Sequence, residues 1–223
     1  LIQANGAIKD IKNSFKNSKL LLLTSMAYLE FMSACPYIDG VILDKRLPRW
    51  NIFYLSKLKK LLESYNFTHV FDLQNSNRTN FYRKFILKKP IWSSTLDTLS
   101  PGQKKKDFDK DGVLQRMEIQ LSKSGIKTKF TKNIDLTWTH SDIKRLLKKY
   151  TNGEYILLFP FCSKKHLNKR WPYYKELVNK LKQNYKNEFS ILTAPGPGEI
   201  DEAHKLNTKV VLINNEPVNI IVL

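Results

Sequence analysis

The stretch Tyr155-Ile-Leu-Leu-Phe-Pro-Phe-Cys-Ser-Lys-Lys-His-Leu-Asn-Lys-Arg-Trp-Pro172 joins a short apolar run to a basic loop and then to a helical pattern that continues to Tyr185. The apolar run at residues 155–159 predicts a buried strand, and Pro172 predicts the first turn of a helix, where a missing N–H costs little. A strand followed by a polar loop and a helix is the repeating unit of parallel α/β sheets. This stretch therefore indicates an α/β fold.

The same alternation extends in both directions from that stretch. Upstream, apolar runs predict strands at residues 19–24, 37–43, 68–73 and 90–93, and helical spacing predicts helices at residues 8–15, 26–34, 52–65 and 78–87. Downstream, we expect strands at residues 189–193 and 210–213, a helix at 198–206, and a further helix that begins at Pro217. A polar loop at residues 100–111 interrupts the pattern, which restarts after Gly153. We therefore predict two doubly wound parallel-sheet domains, residues 1–150 and 151–223.

The chain of 223 residues carries 38 Lys and Arg against 20 Asp and Glu, a net charge of +18. Such a surface attracts nucleic acid, an anionic membrane or a phosphorylated substrate, and the charge alone does not choose among them. The basic residues are spread along the sequence, which favours diffuse solvated charge over one dedicated patch. The two cysteines, Cys35 and Cys162, indicate a reducing compartment, and the longest apolar run, Leu20 to Leu23, is too short to span a bilayer. We expect a cytoplasmic protein.

The basic loop before Pro172 is the first candidate site. In a doubly wound sheet, ligands bind at the carboxyl ends of the strands, and a helix N-terminus there favours an anion. Ser163 can donate a hydrogen bond, and Lys169 and Arg170 can neutralise a diphosphate. The alternative, a solvated basic loop in which Arg170 stacks on Trp171, is equally compatible with these residues.

The segment Thr193-Ala-Pro-Gly-Pro-Gly-Glu199 is the second candidate site. Its glycines permit close approach of the backbone to a ligand. Glu199, at a predicted helix start, is well placed to accept hydrogen bonds from the hydroxyl groups of a ribose. By itself the segment favours the alternative, in which Glu199 only complements the helix dipole.

The third candidate lies in Val70-Phe-Asp-Leu-Gln-Asn-Ser-Asn-Arg78. Asp72 and Gln74 end a predicted strand and Arg78 begins the next helix, so their side chains are expected at the cleft, where Arg78 could bind an acidic acceptor. The alternative is that Asp72 or Ser76 caps the helix and Arg78 is solvated. The four histidines have no metal-ligand spacing, so no metal is expected.

Four segments, in this order, resemble the heptosyltransferases of glycosyltransferase family 9. Cys35-Pro-Tyr-Ile-Asp-Gly-Val-Ile42 resembles the Pro-Tyr-Val-Asp-Glu-Val-Ile segment of the family, and residues 65–78 resemble its Tyr-Asp-x-x-Ile-Asp-Leu-Gln-Gly-x-x-Arg stretch. Lys169-Arg-Trp-Pro172 resembles its Lys-Arg-Trp-Pro helix start, and Ala194-Pro-Gly-Pro-Gly-Glu199 resembles its Gly-Gly-Pro-Glu segment.

The resemblance implies a GT-B fold of two Rossmann-like domains and an inverting transfer of a heptose, without metal or other cofactor, from an ADP-linked donor to a lipopolysaccharide core acceptor. It implies that Lys169 and Ser163 hold the donor diphosphate and that Glu199 holds the ribose, and Arg170 beside Lys169 stays a donor-side candidate from its charge alone. Asp72, Gln74 and Arg78 would then lie on the acceptor side.

Two residues depart from the family pattern, one after the strand that ends in Phe-Pro and one after Asp-Leu-Gln. Phe161 and Asn75 stand where the family has glycine. The resemblance also implies that the first strand, with the general base in its Gly-Asp loop, lies before residue 1. A Ser-Gly-Pro-x-His segment that closes the donor site would lie beyond residue 223. We therefore expect a fragment in which both domains are truncated, which is inactive by itself, and we assign no catalytic residue within it.

The expected partners are a nucleotide sugar and an acidic glycolipid, with peripheral contact at the inner face of an anionic membrane. Two other hypotheses remain at this stage. A basic, non-catalytic nucleic-acid-binding protein would show a steep salt dependence of affinity, although the sequence has no RNP, KH or zinc signature and no nucleic acid is expected. A GT-B transferase that uses a different nucleotide sugar, such as a UDP-sugar, would keep the fold and change the donor.

Overall fold

A computed structural model of the protein describes residues 1–105, 110–139, 142–162, 164–185 and 188–218. The chain divides into two compact units, Leu1–Thr139 and His140–Leu223. This division lies ahead of the predicted boundary between residues 150 and 151. The reason is that Leu146, Leu147 and Tyr150 pack against the apolar core of the second unit.

The first unit alternates strands with helices, as the sequence predicts. Its strands are β1 (Leu21–Thr24), β2 (Gly40–Leu43), β3 (His69–Phe71) and β4 (Ile91–Ser93). Its α-helices are α1 (Asn5–Ser14), α2 (Leu29–Ser33), α3 (Ile52–Ser64), α4 (Asn77–Phe81), α5 (Thr95–Thr98) and α6 (Val113–Lys123). Short 3-10 segments cover Ile2–Ala4, Met26–Tyr28 and Thr137–Thr139, and a π-helical turn, Tyr82–Ile86, continues α4 directly.

The strands of the first unit form two parallel pairs. In the first pair Leu21 of β1 lies opposite Gly40 of β2, and in the second His69 of β3 lies opposite Ile91 of β4. Within the described residues no ladder joins β1 to β3, so each strand of the two pairs keeps one edge without a strand partner. Residues of both β1 and β3 line one cavity of about 490 Å³. The polar side chains that follow the strands lie around this cavity.

Helix α3 packs one apolar face on the strands. Leu55, Leu58 and Leu62 are buried at helical spacing and contact Ile42 of β2 and residues of the π-helical turn. Asn51 starts the helix by accepting a hydrogen bond from the backbone N–H of Tyr54 at 3.0 Å. The helix therefore holds the segment after β2 in a fixed position.

The second unit has one sheet of three parallel strands and a short antiparallel ribbon. Its strands are β5 (Tyr155–Leu158), β6 (Ser190–Thr193), β7 (Lys209–Val210), β8 (Leu212–Ile213) and β9 (Glu216–Pro217). Its helices are α7 (Lys144–Leu147), α8 (Tyr174–Asn184) and α9 (Ile200–His204), with a 3-10 segment at Lys164–Lys169. The sheet order is β5-β6-β7, and β8 pairs with β9. Val178 of α8 is fully buried against Leu158 and Ile191, so this helix covers the sheet.

Two helix starts predicted from proline are wrong. Helix α8 begins at Tyr174 rather than at Pro172, which lies in a turn just ahead of it, where the Trp171 ring packs edge-on against the Tyr174 ring at 5.3 Å. Pro217 begins no helix, because Asn214 and Asn215 adopt the left-handed conformation of a two-residue hairpin turn. The turn folds the chain back, so that Pro217 lies opposite Leu212 at the end of a two-stranded ribbon.

Candidate functional site

In the first unit, polar side chains that follow the carboxyl ends of β2 and β3 surround the cavity. The lining includes the three residues predicted from the third segment, Asp72, Gln74 and Arg78. It also includes Asp44 and Arg46, which follow β2. The structure therefore brings the three predicted residues together and adds two that the sequence interpretation missed.

Asp72 is buried at the end of β3, and its carboxylate organises the turn that follows. Its Oδ1 accepts hydrogen bonds from the backbone N–H groups of Gln74, at 3.1 Å, and Asn75, at 2.8 Å. Burial raises the pKa of the Asp72 carboxyl, although these hydrogen bonds act in the opposite direction. Ser76 rather than Asp72 caps α4, in a reciprocal capping box with Thr79. Asp72 therefore lies at the cavity as a buried carboxylate that holds the turn after β3 in place.

Asn75 stands where the family pattern has glycine, and its backbone has a positive φ of 53°. Asparagine tolerates this left-handed conformation better than other side chains do. Its amide also makes two contacts that glycine could not: Nδ2 donates to Oε1 of the fully buried Gln120 at 3.0 Å, and Oδ1 accepts from the backbone N–H of Thr95 at 2.6 Å. The departure therefore preserves the turn and ties it to α5 and α6.

Asp44 is a buried carboxylate that receives donors from three parts of the unit. The hydroxyl of Tyr54 donates to Oδ1, and the hydroxyl of Tyr82 donates to Oδ2 at 2.9 Å. The Arg78 Nε lies 3.5 Å from Oδ2 and donates to the Tyr82 hydroxyl at 2.5 Å. Burial, followed by the contact with Asp44, raises the pKa of both tyrosine hydroxyls, so both remain protonated donors at neutral pH.

Arg46 is held at the cavity by the same carboxylate. Its backbone N–H donates to Asp44 Oδ1 at 2.7 Å, which stabilises a left-handed φ of 53° at Arg46. Its side-chain Nη2 donates to Gln74 Oε1 at 2.8 Å and so links the segments after β2 and β3. The sequence does contain a signal for these residues, because Asp44-Lys-Arg46 directly follows a predicted strand. The rule that predicts Asp72, that polar residues at the carboxyl end of a strand face the ligand cleft, applies equally to Asp44 and Arg46.

In the second unit, the first two candidate segments lie side by side. Arg170 forms an ion pair with Glu202 of α9, the helix that the second segment opens. The Arg170 guanidinium also lies over the Phe161 ring, with Cζ 4.9 Å from the ring centre. Phe161, the second departure from the family pattern, therefore packs on an arginine of its own segment.

The other predicted donor-side residues have different environments. The Glu199 carboxylate turns back on its own segment, where Oε2 accepts a hydrogen bond from the backbone N–H of Gly196 at 2.7 Å. Lys169 is exposed at the end of the 3-10 segment. Ser163 lies outside the described residues, so its predicted role stays a prediction. The structure brings the segments of Lys169 and Glu199 together, and it holds the Glu199 carboxylate in a local turn.

The described residues offer no cluster of three or more His, Cys, Asp or Glu side chains able to hold a metal ion. Within the same part of the chain, no helix combines the length and the apolar character needed to cross a bilayer.

These features define an α/β protein with parallel sheets whose candidate residues follow the carboxyl ends of the strands. No protein-family model and no curated protein matches the sequence. Among solved structures, the fold is similar to that of E. coli heptosyltransferase WaaC, determined with ADP, with a TM-score of 0.64 and 13% identity. This match covers 98% of the present chain and 72% of that protein.

Two further structures share the fold. A glycosyl transferase of family 9 from Veillonella parvula DSM 2008 matches with a TM-score of 0.66 and 13% identity, over 94% of this chain and 64% of its own. E. coli ADP-heptose lps heptosyltransferase II matches with a TM-score of 0.63 and 13% identity, over 92% of this chain and 63% of its own. The predicted resemblance to the heptosyltransferases is therefore confirmed at the level of the fold, for a chain that spans between 63% and 72% of their lengths.

Proposed function

We propose that the protein is an inverting glycosyltransferase of the heptosyltransferase type, with its two units arranged as a GT-B fold. It would transfer a heptose or a related sugar from an ADP-linked donor to an acidic lipopolysaccharide core acceptor. One observation supports this most: the Arg170–Glu202 ion pair joins the two segments that the sequence assigned to one donor. The fold, shared with a heptosyltransferase determined with ADP, supports the nucleotide.

On the donor side, Lys169 would supply the positive charge for the diphosphate. Its ammonium group is exposed, whereas the nearby guanidinium of Arg170 already has a carboxylate partner. Transfer of the sugar leaves a nucleoside diphosphate, and a fixed positive charge at the leaving group lowers the barrier to its departure. In the proposal, Arg170 mainly fixes the loop that carries Lys169, Ser163 adds a hydroxyl donor, and Glu199 exchanges its contact with Gly196 for the ribose.

On the acceptor side, Arg46 and Arg78 would face the acidic groups of the glycolipid. Arg46 is exposed, and both residues line the same cavity as Gln74 and Asp72. Guanidinium groups bind phosphate and carboxylate groups with paired hydrogen bonds. The Asp72 carboxylate would accept hydrogen bonds from sugar hydroxyl groups, and the Gln74 amide would accept from them or donate to them. The proposal assigns no general base among the described residues and includes no metal or other cofactor.

Nucleotide titration of the 223-residue chain tests the donor assignment. We expect ADP to bind more tightly than UDP or GDP in isothermal titration calorimetry, with or without a chelator. The Lys169→Ala variant should bind ADP about 10-fold to 100-fold more weakly, as for the loss of a charge-assisted hydrogen bond. Lys175→Ala, which removes an exposed lysine from α8 in the same unit, is the matched control and should bind like the unchanged chain.

Two outcomes would contradict this proposal. Equal ADP affinity in the Lys169→Ala and Lys175→Ala variants would remove the diphosphate role of Lys169, and a preference for UDP would indicate a different donor. Absence of nucleotide binding, together with oligonucleotide binding that weakens steeply with salt, would favour the nucleic-acid-binding hypothesis.

A further inference from the structure

The three most exposed large apolar side chains in the described part of the chain lie within four consecutive residues. Phe53 is 85% exposed, Trp50 is 80% exposed and Ile52 is 75% exposed. The next value for such a residue is 66%, at Ile91. Single exposed apolar residues are common on protein surfaces, but a contiguous group that includes two aromatic rings indicates an interaction surface.

The position of the group in the fold explains its exposure. Asn51 caps α3, so Ile52 and Phe53 occupy the first turn of the helix and Trp50 directly precedes the cap. The buried face of α3 begins only at Leu55. The first turn therefore extends beyond the core, and helix formation holds these side chains in solvent.

The surroundings of this group are strongly cationic. Residues 45–60 contain six Lys and Arg residues and no Asp or Glu: Lys45, Arg46, Arg49, Lys57, Lys59 and Lys60. Arg49 extends the surface to the next helix, because its Cζ lies 5.7 Å from the Phe81 ring centre, and Phe81 packs at 4.9 Å against the exposed Phe85 ring. Lys84, Lys88 and Lys89 adjoin Phe85 in the sequence.

We propose that this surface, formed by Trp50, Ile52 and Phe53 with Lys45, Arg46 and Arg49, docks the protein on an anionic lipid bilayer. Aromatic and aliphatic side chains would enter the boundary between headgroups and acyl chains, and the cations would contact lipid phosphates. The positive charge of this surface and the negative charge of the lipid headgroups favour an anionic bilayer as the partner. A single-stranded nucleic acid would use the cations and stack bases on the two aromatic rings, but it would leave the aliphatic side chain of Ile52 without a partner. A neutral apolar partner would leave Lys45, Arg46 and Arg49 unmatched.

The surface also adjoins the candidate acceptor site. Arg46 belongs to both, because it flanks the exposed group in sequence and contacts Gln74 at the cavity. This link between the docking surface and the acceptor site rests on the proposed function, in which a glycolipid acceptor would enter the cavity from the lipid side. The docking itself requires neither donor nor acceptor, so it can be tested separately.

Flotation with lipid vesicles tests the docking. The 223-residue chain should bind vesicles that contain phosphatidylglycerol and phosphatidylcholine, and bind phosphatidylcholine vesicles far less. The Trp50→Ser/Phe53→Ser variant should partition about 10-fold less, because it loses two side chains that insert at the interface. An Ile91→Ser/Tyr185→Ser variant, altered at two exposed apolar residues elsewhere, should partition like the unchanged chain.

A charge variant separates this surface from the overall positive charge. Lys45→Gln/Arg49→Gln should reduce partitioning about 5-fold for each charge removed. Lys175→Gln/Lys180→Gln removes the same charge from α8 and should have little effect. Circular dichroism spectra and ADP affinity should stay unchanged in all four variants, so failure of the docking is distinguishable from failure of the donor proposal.

Several results would overturn the docking proposal. These are equal binding to neutral vesicles, an equal loss in the paired control variants, or wild-type partitioning of the Trp50→Ser/Phe53→Ser variant. Concentration-dependent self-association that this variant abolishes, without any vesicle binding, would assign the surface to a second copy of the chain instead.

Discussion

Replacing Asp44 with Asn tests whether one buried carboxylate organises the acceptor side of the first unit. The Asp44 side chain is 6% exposed and the Arg78 side chain is 19% exposed, so solvent screens their ion pair only weakly. The amide keeps the shape of the carboxylate but has one acceptor oxygen and no charge. If that oxygen keeps the Tyr54 contact, the NH₂ group faces the Tyr82 hydroxyl and the Arg78 guanidinium.

Two effects determine the size of the change. Removing one partner of a buried ion pair costs about 3–5 kcal/mol, because the other charge is left without compensation. Each hydrogen bond to a charged group contributes about 1.5–3 kcal/mol, and part of this is already counted in the pair. Because Arg78 retains its contact with the Leu47 carbonyl at 2.8 Å, we expect the lower end, a loss of about 3 kcal/mol in the free energy of unfolding.

Urea unfolding followed by circular dichroism measures this loss, with Asp201→Asn on the exposed surface of α9 as the control. Tyr82→Phe removes one donor of the network and should cost about 1–2 kcal/mol. In the Asp44→Asn background, Tyr82→Phe should cost clearly less, because the two residues share a contact. A loss below about 1 kcal/mol for Asp44→Asn, or full additivity of the two changes, would refute this reasoning.

Two further predictions concern the turn after β3. Burial raises the pKa of the Asp72 carboxyl, so the folded state binds the carboxyl proton more tightly than the unfolded state does. The free energy of unfolding should therefore fall as the pH rises from the pKa of Asp72 in the unfolded state to its pKa in the folded state. Asp72→Asn should remove that fall in urea titrations from about pH 3 to pH 7, and identical slopes would contradict the prediction. At Asn75 both Gly and Ala lose the contacts to Gln120 and Thr95, but Ala also meets strain at positive φ. The free energy of unfolding of Asn75→Ala should therefore be about 1 kcal/mol lower than that of Asn75→Gly. Equal stability of the two variants in urea unfolding would argue against strain at this position.

The order and type of most elements could be predicted from the sequence, because apolar periodicity reports burial directly. The paired strands at Leu21–Thr24 and Gly40–Leu43 and the helix Ile52–Ser64 lie where the pattern indicates. The errors at Pro172 and Pro217 have a different cause. Proline only fixes φ and removes a donor, and contacts of neighbouring residues decide whether a turn, a helix or a strand follows.

The candidate site was predictable in its segments more than in its contacts. Asp72, Gln74 and Arg78 follow from the rule that ligands lie at strand ends. The network around Asp44 does not, since Tyr82 reaches it from 38 residues away and no local pattern specifies that distance. The same holds for Gln120, which is fully buried and donates to the carbonyl oxygens of Asp72 and Ser93.

The distribution of counter-charges alters the roles that the sequence suggests for the arginines. Arg78 faces the Asp44 carboxylate and Arg170 faces Glu202, so the charge of each is largely compensated. Arg46 contacts the neutral amide of Gln74, and a neutral partner leaves its full charge available. Because an anionic ligand gains most from a charge that is not already neutralised, Arg46 is better suited than Arg78 to bind an acidic acceptor. By the same reasoning the exposed Lys169 is better suited than Arg170 to bind a diphosphate, and the carboxylate contacts of Arg78 and Arg170 also position the loops that carry them.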